Sequence, residues 1–363
     1  MNTMSNSHLE IIDVTVNLGG KRVVDEVSLS LEKGEVGSLL GPTGCGKTSL
    51  LRAAAGFVKL DQGRILIRKQ EVSGPKEHLP PERRNVGMVF QDLALFPHLT
   101  VAGNVGFGIR YYETEAIRRR VSQLLEMVNL ESYAEMYPHE LSGGQQQRVA
   151  LIRAIAPEPD VLLLDEPFSG QDMERREQLA RELRETLSQT GVTALLVTHD
   201  QMEAFAFSDL MGVMSQGKLL QWDTVYNLYH WPRERYVAEF VGRGVFIQAK
   251  VLDEHRLETG LGVITGHLST SYPENTPVDL LIRPDDVHYD PQGEIKAHVE
   301  SRAFRGADHL YTLVIKNGFR LVCHVPSHYT FKPGEVISIN LDLQHLVIFP
   351  SVYNRTRANS RKP

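Results

Sequence analysis

The chain has 363 residues, 42% of them hydrophobic and 23% charged, so wholesale disorder is excluded and two or three domains are expected. The formal net charge of −6 leaves no footprint for a general nucleic-acid binder. Cys45 and Cys323 are too few for a disulfide framework and fit a reducing compartment. The segment MNTMSNSHLE has no charged-then-apolar leader, so secretion is not expected. No apolar run reaches the ~18 residues of a membrane span, so any membrane role is expected to run through partners.

Up to about residue 235, short apolar runs alternate with charged helical stretches. Val36–Leu40 is apolar and runs into GPTGCGKTSLLRAAAG, which reads as strand, glycine-rich loop and helix. Residues 41–48 match G-x-x-x-x-G-K-[ST]. Gly41, Gly44 and Gly46 would let successive N–H groups of the loop turn inward around a phosphate, with Pro42, Thr43 and Cys45 in the same nucleotide-binding loop, and the helix start adds positive potential. Lys47 is expected to reach the β- and γ-phosphates of ATP and Thr48 to ligate Mg²⁺, with Ser49 completing the nucleotide-binding set. Cys45, beside a helix start and Lys47, is expected to be a reactive thiol.

Gln91 follows in VGMVFQD, and residues 113–130 read as a helix with Arg118, Arg119 and Arg120 on a solvated face. Ser142, Gly143, Gly144 and Gln145 open a helix that runs through Ile155. That start makes a second anion site, although without the other motifs a simple Ser cap with turn glycines is the better reading of these residues. Residues 161–164 are apolar and end in Asp165 and Glu166. Asp165 is placed to hold a Mg²⁺ shell and Glu166 to polarise a water, with a pair of acids capping a helix dipole as the alternative. Residues 172–190 read as a helix, and the apolar run 194–197 ends in Thr198, His199 and Asp200. These runs fit buried parallel strands, whose carboxyl ends are where open α/β sheets bind ligands.

From about 240 to 350 the pattern becomes VFIQAKVL, LGVITG, VDLLIRP, LYTLVIKNG, RLVCHV, VISINLDL and HLVIFP, with Asn317–Gly318 as a hairpin turn. Such spacing suggests a small β-barrel or sandwich. Eight histidines lie between His255 and His345 without a tight metal-ligand motif, and read as surface or satisfied side chains. The polar, basic tail after Pro350 is expected to fray.

Taken together, the phosphate loop, Gln91, LSGGQQQRVALIRAIA, VLLLDEPFS and VTHD stand in the order of the ATP-binding-cassette ATPases of membrane transporters, which residues 8–240 resemble. The resemblance implies an α/β P-loop domain, RecA-like core plus helical subdomain, followed by an all-β, OB-like domain of the TOBE type. Its limits fall at 1–238 for the nucleotide-binding domain (helical subdomain about 92–157), 239–350 for the β-barrel regulatory domain, and 351–363 for the tail. It also implies that Lys47, Gln91, Glu166 and His199 are catalytic: Gln91 senses the γ-phosphate and joins Thr48 and Asp165 at Mg²⁺, Glu166 is the base, and His199 contacts the γ-phosphate. Ser142–Gln145 would close over ATP held by a second copy, and Asp172 would end the dimer-spanning loop. Two positions depart from the pattern. Leu18 replaces the aromatic that stacks on adenine, and Ser169-Gly170-Gln171-Asp172 replaces S-A-L-D.

The implied assembly is a homodimer on the cytoplasmic face of the inner membrane, bound to two integral-membrane permease subunits. An extracytoplasmic solute-binding protein acts indirectly and nucleic acid plays no part. Leu95, Phe96 and Pro97 are expected to line the groove for a permease helix. FVGRGVF, LLIRPDDV and the final LVIFP carry the resemblance of the β-rich zone to the regulatory domain, while YPHELSGGQQQRVALIRAIAPEPD, FPHLTV, LLIRP and the closing FP most resemble ferric-iron importer ATPases, with polyamine, sulfate, phosphonate or sugar importers as alternatives. A cassette ATPase of DNA repair lacks support because no long heptad insertion is present, and one of translation because a single phosphate loop is.

Overall fold

The computed structural model describes residues 7–169, 173–316, 318–343 and 345–351. It divides into two compact units, Met1–Val225 and Tyr226–Pro363.

The first unit opens with β1 (Ser7–Leu18), β2 (Lys21–Glu32), β3 (Val36–Leu40) and α1 (Lys47–Ala55). β4 (Gln62–Ile67), β5 (Gln70–Ser73) and β6 (Val86–Val89) follow. Next come α2 (Val101–Gly106), α3 (Thr114–Met127) and α4 (Gly143–Ile155). The rest is β7 (Val161–Asp165), α5 (Met173–Thr190), β8 (Thr193–Thr198), α6 (Gln201–Phe207), β9 (Leu210–Ser215) and β10 (Lys218–Thr224).

β2-β1-β4-β5 form one antiparallel sheet. β10-β9-β3-β8-β7-β6 form the other, parallel from β9 to β6. Every residue of β3, β7 and β8 is buried, as continuous apolar runs require of central parallel strands. Leu39, Leu50, Leu51, Leu163 and Leu195 share one core between α1 and the sheets. Each such buried Leu contributes roughly 1.5–3 kcal/mol. A second core gathers the helices around Leu124, Val149, Ile152 and Phe168.

α1 is tied down at its far end by Arg84, only 2% exposed. Its guanidinium donates to the carbonyls of Leu79 (2.7 Å), Ala53 (2.9 Å) and Ala54 (3.0 Å) and to Ser73 Oγ (2.6 Å). Two of those carbonyls are orphans of the last helical turn.

The second unit carries α7 (Val225–His230), whose first residue closes the first unit, and α8 (Arg235–Val241). Its strands begin with β11 (Val245–Val251), β12 (Arg256–Thr259), β13 (Gly262–Thr265), β14 (His267–Leu268), β15 (Pro277–Ile282) and β16 (Val287–Tyr289). They continue with β17 (Ile295–Phe304), β18 (Asp308–Ile315), β19 (Arg320–Pro326), β20 (Val336–Leu341), β21 (His345–Leu346) and β22 (Ile348–Pro350). β13-β12-β11-β15-β22 and β16-β20-β17-β18-β19 are the two main sheets of a barrel-like domain around one core. The expected turn at Asn317 and the tail from 352 lie outside the described residues, although β18 and β19 pair antiparallel on either side of that turn.

Arg283 links α7 and α8 to β15. It donates to the carbonyls of Ala238 (3.2 Å), Arg243 (3.3 Å) and Tyr229 (3.0 Å), with its guanidinium 4.2 Å from the Tyr229 ring centre. Among the described residues, no group of three His, Cys, Asp or Glu side chains is arranged to hold a metal ion.

Candidate active site

The strand order brings distant segments to one edge. Leu40 pairs with Thr198, Asp165 with Val197, and Val89 with Leu164. The loops that leave β3, β8, β7 and β6 therefore start side by side. They carry the phosphate loop, His199, Glu166 and Gln91, at the carboxyl ends of parallel strands.

The phosphate loop needs its glycines. A Cβ on Gly41 would stand 2.4 Å from the Met214 carbonyl oxygen. Gly46 has φ +110°, and a Cβ there would stand 2.2 Å from the Val23 carbonyl oxygen. Backbone braces the loop from outside: Gly217 N donates to Cys45 O (2.9 Å), and Asp25 N donates to Gly217 O (2.9 Å). Val23, Met214 and Gly217 escaped the sequence reading because main-chain braces impose no side-chain motif.

Gly46 leaves the start of α1 without a side-chain cap, so its first N–H groups face the loop uncapped. Lys47 is 4% exposed, and its ammonium donates to Gly41 O (2.8 Å) and Pro42 O (3.1 Å). Cys45, itself part of this loop, has a buried thiol, which stands against the expectation of a reactive cysteine.

Thr48 Oγ1 donates to Asp165 Oδ1 at 3.0 Å. Burial pushes the Asp165 carboxyl above its usual range, against the Thr48 hydrogen bond and the charges of Arg52 and Lys47. A buried carboxylate beside a hydroxyl, next to a loop shaped for phosphate, fits a divalent cation.

Glu166 sits just past β7 at φ 44°, with its N–H on Val197 O (3.0 Å) and its carbonyl accepting from Ser169 N (3.1 Å). Its Oε2 is 3.2 Å from Nδ1 of His199. The His199 turn is stiffened from behind. Glu203 bonds the Thr198 hydroxyl, Asp200 N donates to Thr198 Oγ1 (3.0 Å), and Arg176 donates to Asp200 (2.7 Å). Asp200 also caps α6 by accepting from Met202 N (2.8 Å) and Glu203 N (3.3 Å).

Ser142 caps α4 in a reciprocal pair with Gln145: Gln145 N donates to Ser142 Oγ (3.4 Å) and Ser142 N to Gln145 Oε1 (2.8 Å). Ser142 and Gly143 are exposed there, so the helix start faces outward. Leu18 ends β1 at its hairpin and is 44% exposed. Asp172 lies outside the described residues.

Residues 24–169 match the ABC transporter family and residues 280–349 the TOBE domain. The chain is 38% identical over 338 residues to a spermidine/putrescine import ATP-binding protein, PotA, of Bacteroides thetaiotaomicron, covering 92% of this chain and 71% of that one. It is 38% identical over 341 residues to PotA of Acetivibrio thermocellus, covering 93% and 95%. Among solved structures it resembles cbiO1 of Clostridium perfringens, part of the ABC transporter complex cbiONQ: TM-score 0.56, 29% identity, 61% of this chain and 89% of that one. A dimeric ATP-binding cassette in a post-hydrolysis state with ADP and Pi aligns at TM-score 0.53 and 28% identity, over 60% and 98%. The relatives lend no support to the ferric-iron expectation. The chain belongs to the family of ATP-hydrolysing, TOBE-bearing subunits of ABC transporters.

Proposed function

We propose that this chain energises a membrane importer of polyamines. The observation that carries the solute is the 38% identity to a spermidine/putrescine import subunit across 93% of this chain and 95% of the relative. The nucleotide site does not choose the solute, because none of its groups would touch the cargo.

Two copies would sandwich ATP. The phosphate-loop N–H groups among residues 43–46 and the Lys47 ammonium bind the phosphates of one copy, and Ser142–Gln145 of the other close over them. Thr48 and Asp165, with Gln91, would hold Mg²⁺, which when bound offsets the phosphate charge. Glu166 accepts the proton of the attacking water, and His199 orients its carboxylate through the 3.2 Å contact. None of the described helices is long and apolar enough to cross a membrane; by its likeness to import ATP-binding subunits, the chain would act from the cytoplasmic face through permease subunits. The contact patch we assign to them centres on Phe96 and Phe107, whose ring centres are 4.3 Å apart. Arg110 lies over Phe107 (4.4 Å) and over the exposed Tyr111 (4.7 Å).

Uptake of labelled spermidine, putrescine and ferric iron in a deletion strain tests the solute. Loss of polyamine uptake, restored by the wild-type gene and not by Glu166→Gln, is the expected result. Normal polyamine uptake with lost iron uptake would return the assignment to the ferric-iron alternative.

A further inference from the structure

We infer that Arg153 is a positioning residue for hydrolysis, tying the Gln91 segment to the helix that Ser142 opens so that the two move as one piece. The inference rests on the reading of Gln91 given above.

Gln91 occupies a turn directly after β6, closed by Leu93 N donating to Phe90 O at 2.9 Å. Behind that turn the backbone is left-handed at two successive side-chain-bearing residues, Leu93 (φ 59°) and Ala94 (φ 44°). L-residues rarely adopt this conformation, and it persists only where surrounding structure holds it. Arg153, in the third turn of α4, donates from Nη2 to Leu93 O (2.8 Å) and from Nη1 to Ala94 O (2.6 Å). Its guanidinium also lies 5.5 Å from the Phe96 ring centre.

The other end of the segment is pinned as well. Asn104 of α2 accepts from Phe96 N (2.8 Å) and donates to Phe96 O (3.1 Å). Burial lowers the pKa of Arg153 and the charge of Asp92 opposes that fall, so the cation works from a part-buried place facing one acid of the same turn.

A planar fork can grip two neighbouring carbonyls at once, and a single ammonium cannot. The capped start of α4 and the turn bearing Gln91 are therefore joined by one side chain on a rigid helix. A shift of either is passed to the other.

The test is a double-mutant cycle on the full chain, with kcat and KM for Mg-ATP and the nucleotide Kd measured separately. Arg153→Ala is expected to lower kcat about ten-fold or more while the nucleotide Kd stays within about two-fold. Arg153→Lys should fall between it and wild type, and carries the test if the Ala variant does not fold. The double variant Gln91→Ala/Arg153→Ala should be no slower than Gln91→Ala alone. Wild-type kcat in both Arg153 variants, or losses that multiply in the double variant, would overturn the inference and leave the reading of Gln91 standing. Wild-type kcat in Gln91→Ala would overturn that reading, and this inference with it.

Discussion

His199 Nδ1 and Glu166 Oε2 are 3.2 Å apart, although 33 residues separate them in sequence. The imidazole is half-exposed and the carboxylate largely covered. A half-exposed ring can reach toward a phosphate while holding the carboxylate in one orientation. Replacing Glu166 with Gln keeps the shape and removes the proton acceptor. Turnover should fall by roughly 10²-fold or more while ATP still binds and a nucleotide-held dimer accumulates. Steady-state phosphate release with size-exclusion chromatography checks this, and near wild-type turnover refutes the role given to Glu166.

Leu18 offers adenine an apolar edge without a π-face. Base–aromatic stacking is worth ~1–3 kcal/mol, so Leu18→Tyr should tighten ATP binding about five-fold, or roughly 1 kcal/mol. Wild type should also discriminate poorly between ATP and GTP. Titrations of both nucleotides decide this. Unchanged affinity in Leu18→Tyr would mean that adenine sits elsewhere, for instance over the exposed ring of Phe57, 6.1 Å from Phe90.

Gly46→Ala combines a left-handed φ of +110° with a Cβ placed 2.2 Å from the carbonyl of Val23. β2 must retreat or the loop must open. The conformational cost alone is roughly 1–2 kcal/mol. Nucleotide affinity should drop at least ten-fold and the melting temperature should fall. A variant that binds ATP normally would show that the loop does not cradle phosphate in this form.

Asp286 gives the second unit a pH dependence. Burial, reinforced by Asp285, pushes its carboxyl up to about 6, against its hydrogen bond from Arg283 N and the charges of Arg283 and His288. The folded state thus holds the proton more tightly than the unfolded chain. The stability this proton confers is complete below about pH 4 and disappears as pH rises through about 6. The difference is at most about 3 kcal/mol, reduced by partial exposure. Asp286→Asn should raise the melting temperature at pH 7.5 and flatten its slope between pH 5 and 7.5. An unchanged slope would assign the titration to another group.

Neither thiol should react while the chain is folded. Cys45 is buried within the phosphate loop, and burial pushes Cys323 up to about 12, with its sulfur 3.0 Å from Val287 O. Ellman titration should count none in buffer and two in guanidinium. Prompt labelling of native Cys45 would mean that the loop opens.

What the amino-acid order discloses depends on which atoms do the holding. β3, β7 and β8 are legible because a strand buried on both faces is apolar at nearly every position. The phosphate loop is legible because its lysine, threonine and glycines each answer a separate demand. The helix expected over 113–130 ends after Met127, where Asn129 takes a left-handed φ of 55°. β17 is not legible in the sequence: only Ala297 and Val299 of its ten residues are buried, so it lacks an apolar run. Arg84 reads as an ordinary surface charge until the fold wraps it in carbonyls. The solute leaves no trace in the nucleotide site, and there the relatives replaced the iron expectation.

The position of β3 between β8 and β9 also bears on synthesis. β3 leaves the ribosome early, yet both of its hydrogen-bonding neighbours come from residues 193–215. At about 5–20 residues per second, the five buried residues Val36–Leu40 wait on the order of ten seconds or more for partners. During that wait the nascent chain presents a bare apolar edge. A ribosome-bound holdase should therefore dwell on it until about residue 215 has emerged, and ATP cannot help the chain fold before then, since its site does not yet exist.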